Sequence, residues 1–151
     1  MENKDLEIAQ LRLKDEDLSL VILKKEKVIF ETKKPGINGF LQAIASLDKK
    51  LVKSSVADKI VGVAAAMLCV YAEISSVFAM TISGPGIKVL KDNKITYSFD
   101  NKVSNIMNRN KTDVCPFEKQ AIASTNSEEA YLNLKSLADQ MIKNFEKSSF
   151  N

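Results

Sequence analysis

Residues 108–119 carry most of the side chains that could do chemistry. Cys115 stands just before Pro116, which favours the first turn of a helix because its missing N–H costs nothing there. A sulfur at that position points towards free backbone amides, which favours the nucleophilic thiolate. Asp113 and Glu118 could act as acid or base. The polar and basic side chains that could contact a phosphate-bearing ligand are Asn108, Arg109, Lys111 and Lys119.

The same segment also fits a plain structural interpretation. Cys115 would then be a small buried residue, and Asp113 and Glu118 would cap the helix that Pro116 opens. Both interpretations stay open from the sequence.

A second candidate lies at residues 55–59, where a helix running to about Tyr71 is predicted to begin. Ser55 suits the N-cap and Asp58 the third helical position, so capping explains both. Capping does not explain Lys59, because the positive end of the helix dipole disfavours a cation in the first turn. Lys59 would need a partner such as Asp58, another carboxylate or a bound anion. The alternative interpretation is therefore an anion or nucleotide site at Asp58 and Lys59.

The third candidate is the turn Ser83-Gly84-Pro85-Gly86, which follows a predicted strand and leads into a short helix. Ligands of open α/β sheets gather at the carboxyl ends of strands, over helix N-termini. Ser83 and Gly84 are therefore candidate ligand contacts, although many plain turns have the same sequence. Cys69 lies within an apolar run and is predicted to belong to the core.

Composition excludes several classes of enzyme. The 151 residues include no histidine, which rules out His-based triads, a histidine general base and zinc sites that need histidine. The only cysteines are Cys69 and Cys115, too few for a cysteine-rich zinc site. The formal net charge of +3 is too small to argue for nucleic acid binding, so no nucleic acid partner is expected.

The start of the sequence and its longest apolar run favour a cytoplasmic protein. Residues 1–5 are polar, with no apolar stretch behind a basic start, so no secretory signal is predicted. The apolar run over residues 60–72 is shorter than the ~20 residues of a membrane span, and no membrane association is expected. The two cysteines are then expected to be free thiols in a reducing compartment.

Hydrophobic spacing predicts the elements that position these candidates. The length predicts one domain over residues 1–151. A first helix, a lysine-tipped hairpin and an amphipathic helix should precede the buried helix from Ser55. Two strands with a short helix between them should follow, and then helices opened by Pro116 and Ser127. Residues of the last helix expected to face inward are Ala130, Leu134, Leu137, Met141 and Phe145.

This order of elements predicts the fold class. A hairpin followed by alternating helices and strands implies a mixed sheet of four to five strands with helices on both faces. The sequence therefore predicts an α/β domain with three layers, α-β-α.

Two strings of residues carry a resemblance to a known family. They are Ser55-x-Ala57-Asp58-Lys59-x-x-Gly62-x-Ala64-Ala65-Ala66 and Asn108-Arg109-x-x-x-Asp113-x-Cys115-Pro116-x-Glu118. Together they resemble an uncharacterised prokaryotic family that has a cytidine-deaminase-like fold and lacks the deaminase metal site. The match spans nearly the whole chain. The sequence departs from that family at Asn110-Lys111, where a tighter Asp-Gly turn is expected.

The resemblance can be tested on the zinc ligands of deaminases. Those enzymes use H-x-E at the start of the buried helix and P-C-x-x-C at the start of the next. Here the motifs fall on residues 56–59 and 85–89, where the metal positions hold only Val, Ala and Gly. Hydrolytic deamination needs a metal to generate hydroxide near neutral pH. The chain is therefore not expected to be a zinc-dependent deaminase, and no resident cofactor is expected.

The resemblance implies a cleft between the helix starts at Asp58 and Gly84, covered by residues 108–118. Its helix N-termini and cations suit a nucleotide or another phosphorylated small molecule, and binding of such a ligand is the leading hypothesis. Self-association is compatible with the paired helix faces, without a specified number of subunits.

Two alternatives stay open. One is an enzyme that uses Cys115 as a nucleophile or redox thiol, assisted by Asp113 or Glu118 and by Lys59. The other is a structural or regulatory subunit whose pocket is vestigial.

Overall fold

The computed structural model describes residues 3–149, which alternate between helices and strands. In chain order, the elements are α1 (Lys4–Asp15), β1 (Leu20–Lys24), β2 (Lys27–Thr32), α2 (Asn38–Leu47), a 3₁₀ helix (Asp48–Leu51), β3 (Ser55–Val61), α3 (Val63–Tyr71), β4 (Ser76–Ser83), α4 (Gly84–Asp92), β5 (Thr96–Val103), α5 (Pro116–Ala123) and α6 (Ser127–Ser149).

The five strands form one mixed sheet in the order β2-β1-β3-β4-β5. Strand β1 pairs antiparallel with both β2 and β3, whereas β3-β4 and β4-β5 are parallel pairs. The tip of the β1-β2 hairpin is Lys25-Glu26, and both residues have positive φ angles, 52° and 65°. Such a two-residue turn matches the twist of its strands. The predicted hairpin and mixed sheet are confirmed.

Helices cover both faces of the sheet. On one face, Leu13 of α1 packs with Val21 and Phe78 of the sheet. On the other, Leu68 of α3 and Leu134 of α6 pack with Val56 in the larger core, to which α2, α4 and α5 also contribute. The predicted three-layer α-β-α class is confirmed.

The helix predicted from Ser55 to Tyr71 is wrong in its first half. Residues 55–61 form β3, the central strand of the sheet, and α3 begins only at Val63. The β-branched residues Val56, Ile60 and Val61 suit a pleated strand. Gly62 then separates the strand from the alanine-rich helix. Asp58 and Lys59 therefore lie in a strand, and neither stands at a helix start.

Helix α6 is buried only along its first half. Ala130 and Leu134 are fully buried, and Tyr131 stacks on Tyr71 of α3 with ring centroids 4.4 Å apart. Met141 and Phe145 are 39% and 73% exposed, contrary to the prediction that both face inward. Every residue from 139 to 145 is exposed, so the helical spacing of apolar residues continues past the core that it predicts.

Along residues 3–149, none of the helices combines the length and the apolar character that crossing a membrane requires.

Candidate functional site

The start of helix α3 holds a carboxylate that comes from helix α5. Glu118 lies in the first turn of α5, and its side chain reaches the first turn of α3. Its Oε1 accepts a hydrogen bond from the N–H of Val63 at 2.7 Å, and its Oε2 accepts one from the N–H of Ala64 at 2.6 Å. Glu118 is 5% exposed. Two N–H groups that a helix start leaves without intrahelical partners are thereby satisfied within the chain.

Two opposing effects act on the ionisation of Glu118. Burial raises its pKa above the ordinary value of 4.5, because a charged carboxylate loses its water. The hydrogen bonds from Ala64 and Val63 lower the pKa, because they stabilise the charged form. The effect of burial is larger than that of the hydrogen bonds, so the pKa of Glu118 is raised overall.

Gly62 makes room for this carboxylate. A Cβ atom built on Gly62 would collide with Oε1 of Glu118 and would lie 2.7 Å from Cγ1 of Ile106. Gly62 and Ile106 are thus part of the site, although neither was predicted as a site residue. Gly62 stands in the string that carries the family resemblance, and this is a sequence signal that could have indicated the position.

The start of α4 meets the start of α3. A Cβ atom on Gly86 would lie 3.1 Å from the carbonyl carbon and oxygen of Gly62. Ser83 caps α4, because its hydroxyl accepts a hydrogen bond from the N–H of Gly86 at 3.0 Å. The predicted turn from Gly84 to Gly86 is the first turn of this helix. Two helix starts do face each other, but at Gly62 and Gly86, not at Asp58.

Residues 104–115 fold back on themselves before α5. Met107 and Val114 form an antiparallel bridge, and the N–H of Asn108 donates to the carbonyl of Asp113 at 2.8 Å. The side chain of Asn108 also bonds to both the backbone and the hydroxyl of Thr112. Lys111 has a φ of 55°. A tight turn therefore forms over residues 108–111, where the N–H of Lys111 donates to the carbonyl of Asn108 at 3.0 Å, without the Asp-Gly pair that the resemblance led us to expect.

Two charged side chains of this segment form an ion pair with each other. Lys119 forms an ion pair and hydrogen bond with Asp113, and this contact lowers the pKa of Asp113. Both side chains are more than half exposed, so the pair is screened by solvent. Arg109 is exposed near the tip of the turn. Of the side chains predicted as site residues in this segment, Glu118 reaches the start of α3, and Asp113 and Lys119 pair with each other.

The two cysteines differ in their surroundings. Cys115 occupies the N-cap of α5, as predicted, and is partly exposed, but its side chain makes no capping hydrogen bond. Cys69 is 1% exposed within α3, which confirms its prediction as a core residue. Burial raises the pKa of the Cys69 thiol, and the nearby charge of Asp58 raises it further.

Asp58 and Lys59 do not form one site, because neighbouring strand residues point to opposite faces of a sheet. Lys59 donates to the carboxylate of Asp17, beyond the end of α1, at 3.0 Å. Asp58 lies on the other face, where its charge acts on Cys69 of α3. Burial raises the pKa of Asp58 to about 7. Hydrogen bonds from the N–H groups of Ile60 and Lys59 lower this pKa, but their effect is smaller than that of burial.

The residues at the two helix starts do not fit a zinc ion. Residues 62–65 and 84–89 contain no His, Cys, Asp or Glu. The carboxylate of Glu118 reaches the start of α3, and each of its oxygens accepts a hydrogen bond from a backbone N–H there. Within residues 3–149, no group of three or more His, Cys, Asp or Glu side chains could hold a metal ion.

A shallow groove of about 450 Å³ lies between α2 and α6, away from the predicted cleft. Leu41, Ala138 and Ile142 supply apolar surface, and Lys34 and Lys135 are among its charged lining residues. None of the residues predicted as site residues lines it.

Comparison with known proteins places the chain beside one family. The model of a family described as "Domain of unknown function (DUF1893)" matches residues 8–138. The crystal structure of a DUF1893 family protein (TM1506) from Thermotoga maritima is 28% identical. That likeness covers 90% of this chain and 92% of the other, with a TM-score of 0.80.

More distant likenesses are limited to parts of larger chains. Two structures of RibD from Acinetobacter baumannii are 15% and 17% identical, with TM-scores of 0.44 and 0.47. Each likeness covers 55% of this chain and 28% of RibD. No curated protein matches the sequence.

Proposed function

The chain belongs to the DUF1893 family, domains of unknown function, and from this premise we propose that it is a metal-free structural or regulatory module. The observation that carries the proposal is the carboxylate of Glu118, which accepts hydrogen bonds from both Val63 and Ala64 while 5% exposed. The chain itself supplies the anion that the start of α3 binds.

An external phosphate would have to compete with this internal anion. The free N–H groups of a helix start and its dipole make a ready anion site, but here two of those donors are taken. At α4, Pro85 has no N–H and Ser83 takes the N–H of Gly86. These contacts support a cleft that stabilises the fold and holds no ligand.

Removal of the internal anion tests the proposal. The variant Glu118→Ala should unfold at a lower temperature than wild type, and acetate should restore part of the loss by taking the place of the carboxylate. Sodium chloride at the same ionic strength is the control for screening, and wild type should gain nothing specific from acetate. Equal responses of the two proteins to acetate and chloride would contradict the role of Glu118 as the anion that the start of α3 binds.

The nucleotide-binding hypothesis is the second candidate, because one cation lies beside the start of α4. Cε of Lys102 would be 3.8 Å from a Cβ atom on Gly84, at the carboxyl end of β4. This position supports contact with a phosphate-bearing ligand at Ser83, Gly84 and Lys102, with Arg109 on the adjacent loop.

A panel of nucleoside mono-, di- and triphosphates, with inorganic phosphate, separates the two candidates. The first predicts no saturable rise in the unfolding temperature of wild type. The second predicts a saturable rise and binding that Lys102→Met weakens about tenfold or more, since a charge-assisted hydrogen bond is worth about 1.5–3 kcal/mol. Lys91→Met, on an exposed lysine near the end of α4, is the matched control.

The thiol alternative is supported by the position of Cys115 at the N-cap of α5 and by its partial exposure. It would require a reactive Cys115, and the labelling experiment described in the Discussion tests this requirement.

A further inference from the structure

Strand β5 forms an open edge of the sheet. It is the last strand in the order β2-β1-β3-β4-β5, and no strand within residues 3–149 pairs with its outer side. Seven of its eight residues are exposed, and Tyr97 is the exception. An open edge presents unpaired backbone N–H and C=O groups, which serve as a template for another strand.

The two edges of the sheet differ in charge: lysines cluster at one end of β2, whereas β5 carries one acidic and one basic residue, Asp100 and Lys102. Lysines flank and begin β2, at Lys24, Lys25 and Lys27, and such charges discourage pairing between edges. On β5, by contrast, Tyr97 and Phe99 stack with ring centroids 6.4 Å apart, and Phe99 and Val103 are 38% and 37% exposed. The edge therefore combines free backbone groups with apolar side chains.

The sequence of β5 is complementary to itself when two copies pair antiparallel about Asn101. When two copies pair about Asn101, Asp100 of each lies opposite Lys102 of the other, and Phe99 lies opposite Val103. Opposite charges and apolar pairs directly across two strands are stabilising. Pairing about Asp100 would instead set two aspartates face to face, which is destabilising.

We propose that β5 is a dimerisation edge, on which a second copy of this chain pairs antiparallel with Asn101 at the two-fold axis. The two sheets then join into one of ten strands. Asp100 already contacts Lys14 of its own chain at 2.9 Å, so in the dimer this carboxylate lies between two cations.

Charge reversal tests the partner and the register together. Wild type should have twice the chain mass of 16.7 kDa in light scattering or sedimentation at high concentration. Asp100→Lys sets a lysine opposite Lys102, and Lys102→Asp sets an aspartate opposite Asp100. Each should raise the dimer dissociation constant about tenfold or more, because each bad pair occurs twice in a symmetric dimer. The double variant Asp100→Lys/Lys102→Asp restores opposite charges and should recover most of the affinity.

Three results would overturn the proposal. They are a monomeric wild type at all concentrations, single variants that dimerise as wild type does, and a double variant no better than the singles. Thermal unfolding of each variant shows whether it is folded, which matters for Asp100→Lys because that change also removes the contact with Lys14.

A crosslink reports on the register independently of charge. In a Cys115→Ser background, Asn101→Cys places two thiols opposite each other on the axis, within reach of a disulfide. Ser98→Cys is the matched control, because in this register the two introduced thiols lie six residues apart, roughly 20 Å. Mild oxidation should crosslink Asn101→Cys and leave Ser98→Cys monomeric on a denaturing gel. Crosslinking of both variants, or of neither, would contradict the register.

Discussion

Glu118 supplies the carboxylate at the start of α3, where it accepts hydrogen bonds from the amides of Val63 and Ala64. Its carboxylate is nearly buried, which disfavours charge, and two N–H groups and the helix dipole favour it. The start of α3 therefore needs a side chain whose two oxygens each accept a hydrogen bond. A carboxamide has only one such oxygen, and a methyl group has none.

Replacing Glu118 by Gln should destabilise the protein by about 1–3 kcal/mol. The amide oxygen can accept from one N–H, but the amide NH₂ then faces the other donor and leaves it unsatisfied. Urea unfolding measures the loss. The control is Glu73→Gln, at an exposed position after α3, which should be neutral. Equal losses in the free energy of unfolding for the two variants would contradict a specific role of Glu118.

The two thiols should respond differently to a thiol reagent in the folded protein. Cys115 is partly exposed and should react, whereas Cys69 is 1% exposed, with a raised pKa, and should react only after unfolding. Mass spectrometry after maleimide treatment should show one label per native chain, and Cys115→Ser should show none. Labelling of Cys115 faster than glutathione would favour the thiol enzyme, and a second label on the native chain would contradict the burial of Cys69.

At the scale of elements, the junction between β3 and α3 is the tightest point of the site. The strand ends at Val61, the helix begins at Val63, and Gly62 between them faces the carboxylate of Glu118. Gly62 has φ −111° and ψ −158°, which other residues can adopt. Glycine is therefore required at this position for steric reasons, because a Cβ atom would collide with Glu118.

Gly62→Ala should destabilise the protein by about 2–4 kcal/mol, because the new methyl group displaces Glu118 and breaks its two hydrogen bonds. Gly84→Ala is the matched control at the next helix start. There a Cβ atom would lie 3.8 Å from Cε of Lys102, an ordinary contact, so the change should stay within about 0.5 kcal/mol. Chemical denaturation of both variants measures the difference.

The sequence predicts most elements, but it predicts a helix over the residues that form β3, directly before the site. Local patterns predict the hairpin, the Pro116 helix and the layered sheet, all of which form. They fail between Ser55 and Val61, because an apolar run suits a buried strand as well as a buried helix. Glu118 is singled out from the sequence as an acid, a base or a cap of its own helix, whereas in the structure it caps α3. Its partners lie in α3, and no local pattern predicts so distant a contact.

At the scale of the whole molecule, Asp58 links the stability of the fold to pH. It lies in the central strand with a pKa of about 7, raised by burial from its ordinary 3.8. A carboxyl group with a higher pKa in the folded chain holds its proton more tightly there. As the pH rises, the unfolded chain releases that proton first, and the free energy of unfolding falls.

The contribution of Asp58 should therefore be full below about pH 4 and lost by about pH 7. Pairs such as Asp17-Lys59 and Glu31-Arg12, whose carboxyl pKa values are lowered, act in the opposite direction. The difference between wild type and Asp58→Asn isolates the effect: the variant should gain stability relative to wild type as the pH rises across that range. Parallel curves of unfolding temperature against pH for the two proteins would contradict it.

The contact between Glu118 and α3 also sets an order of events during synthesis. Val63 and Glu118 are 55 residues apart, so a ribosome adding about 5–20 residues per second makes the second about 3–11 s after the first. For that interval the apolar helix α3 has neither its cap nor the cover of α6. The nascent chain should then expose apolar surface to proteases and chaperones, and its core should be complete only after the last two helices emerge. Stalled chains that end before α5 should be cut by protease far faster than chains that include α6.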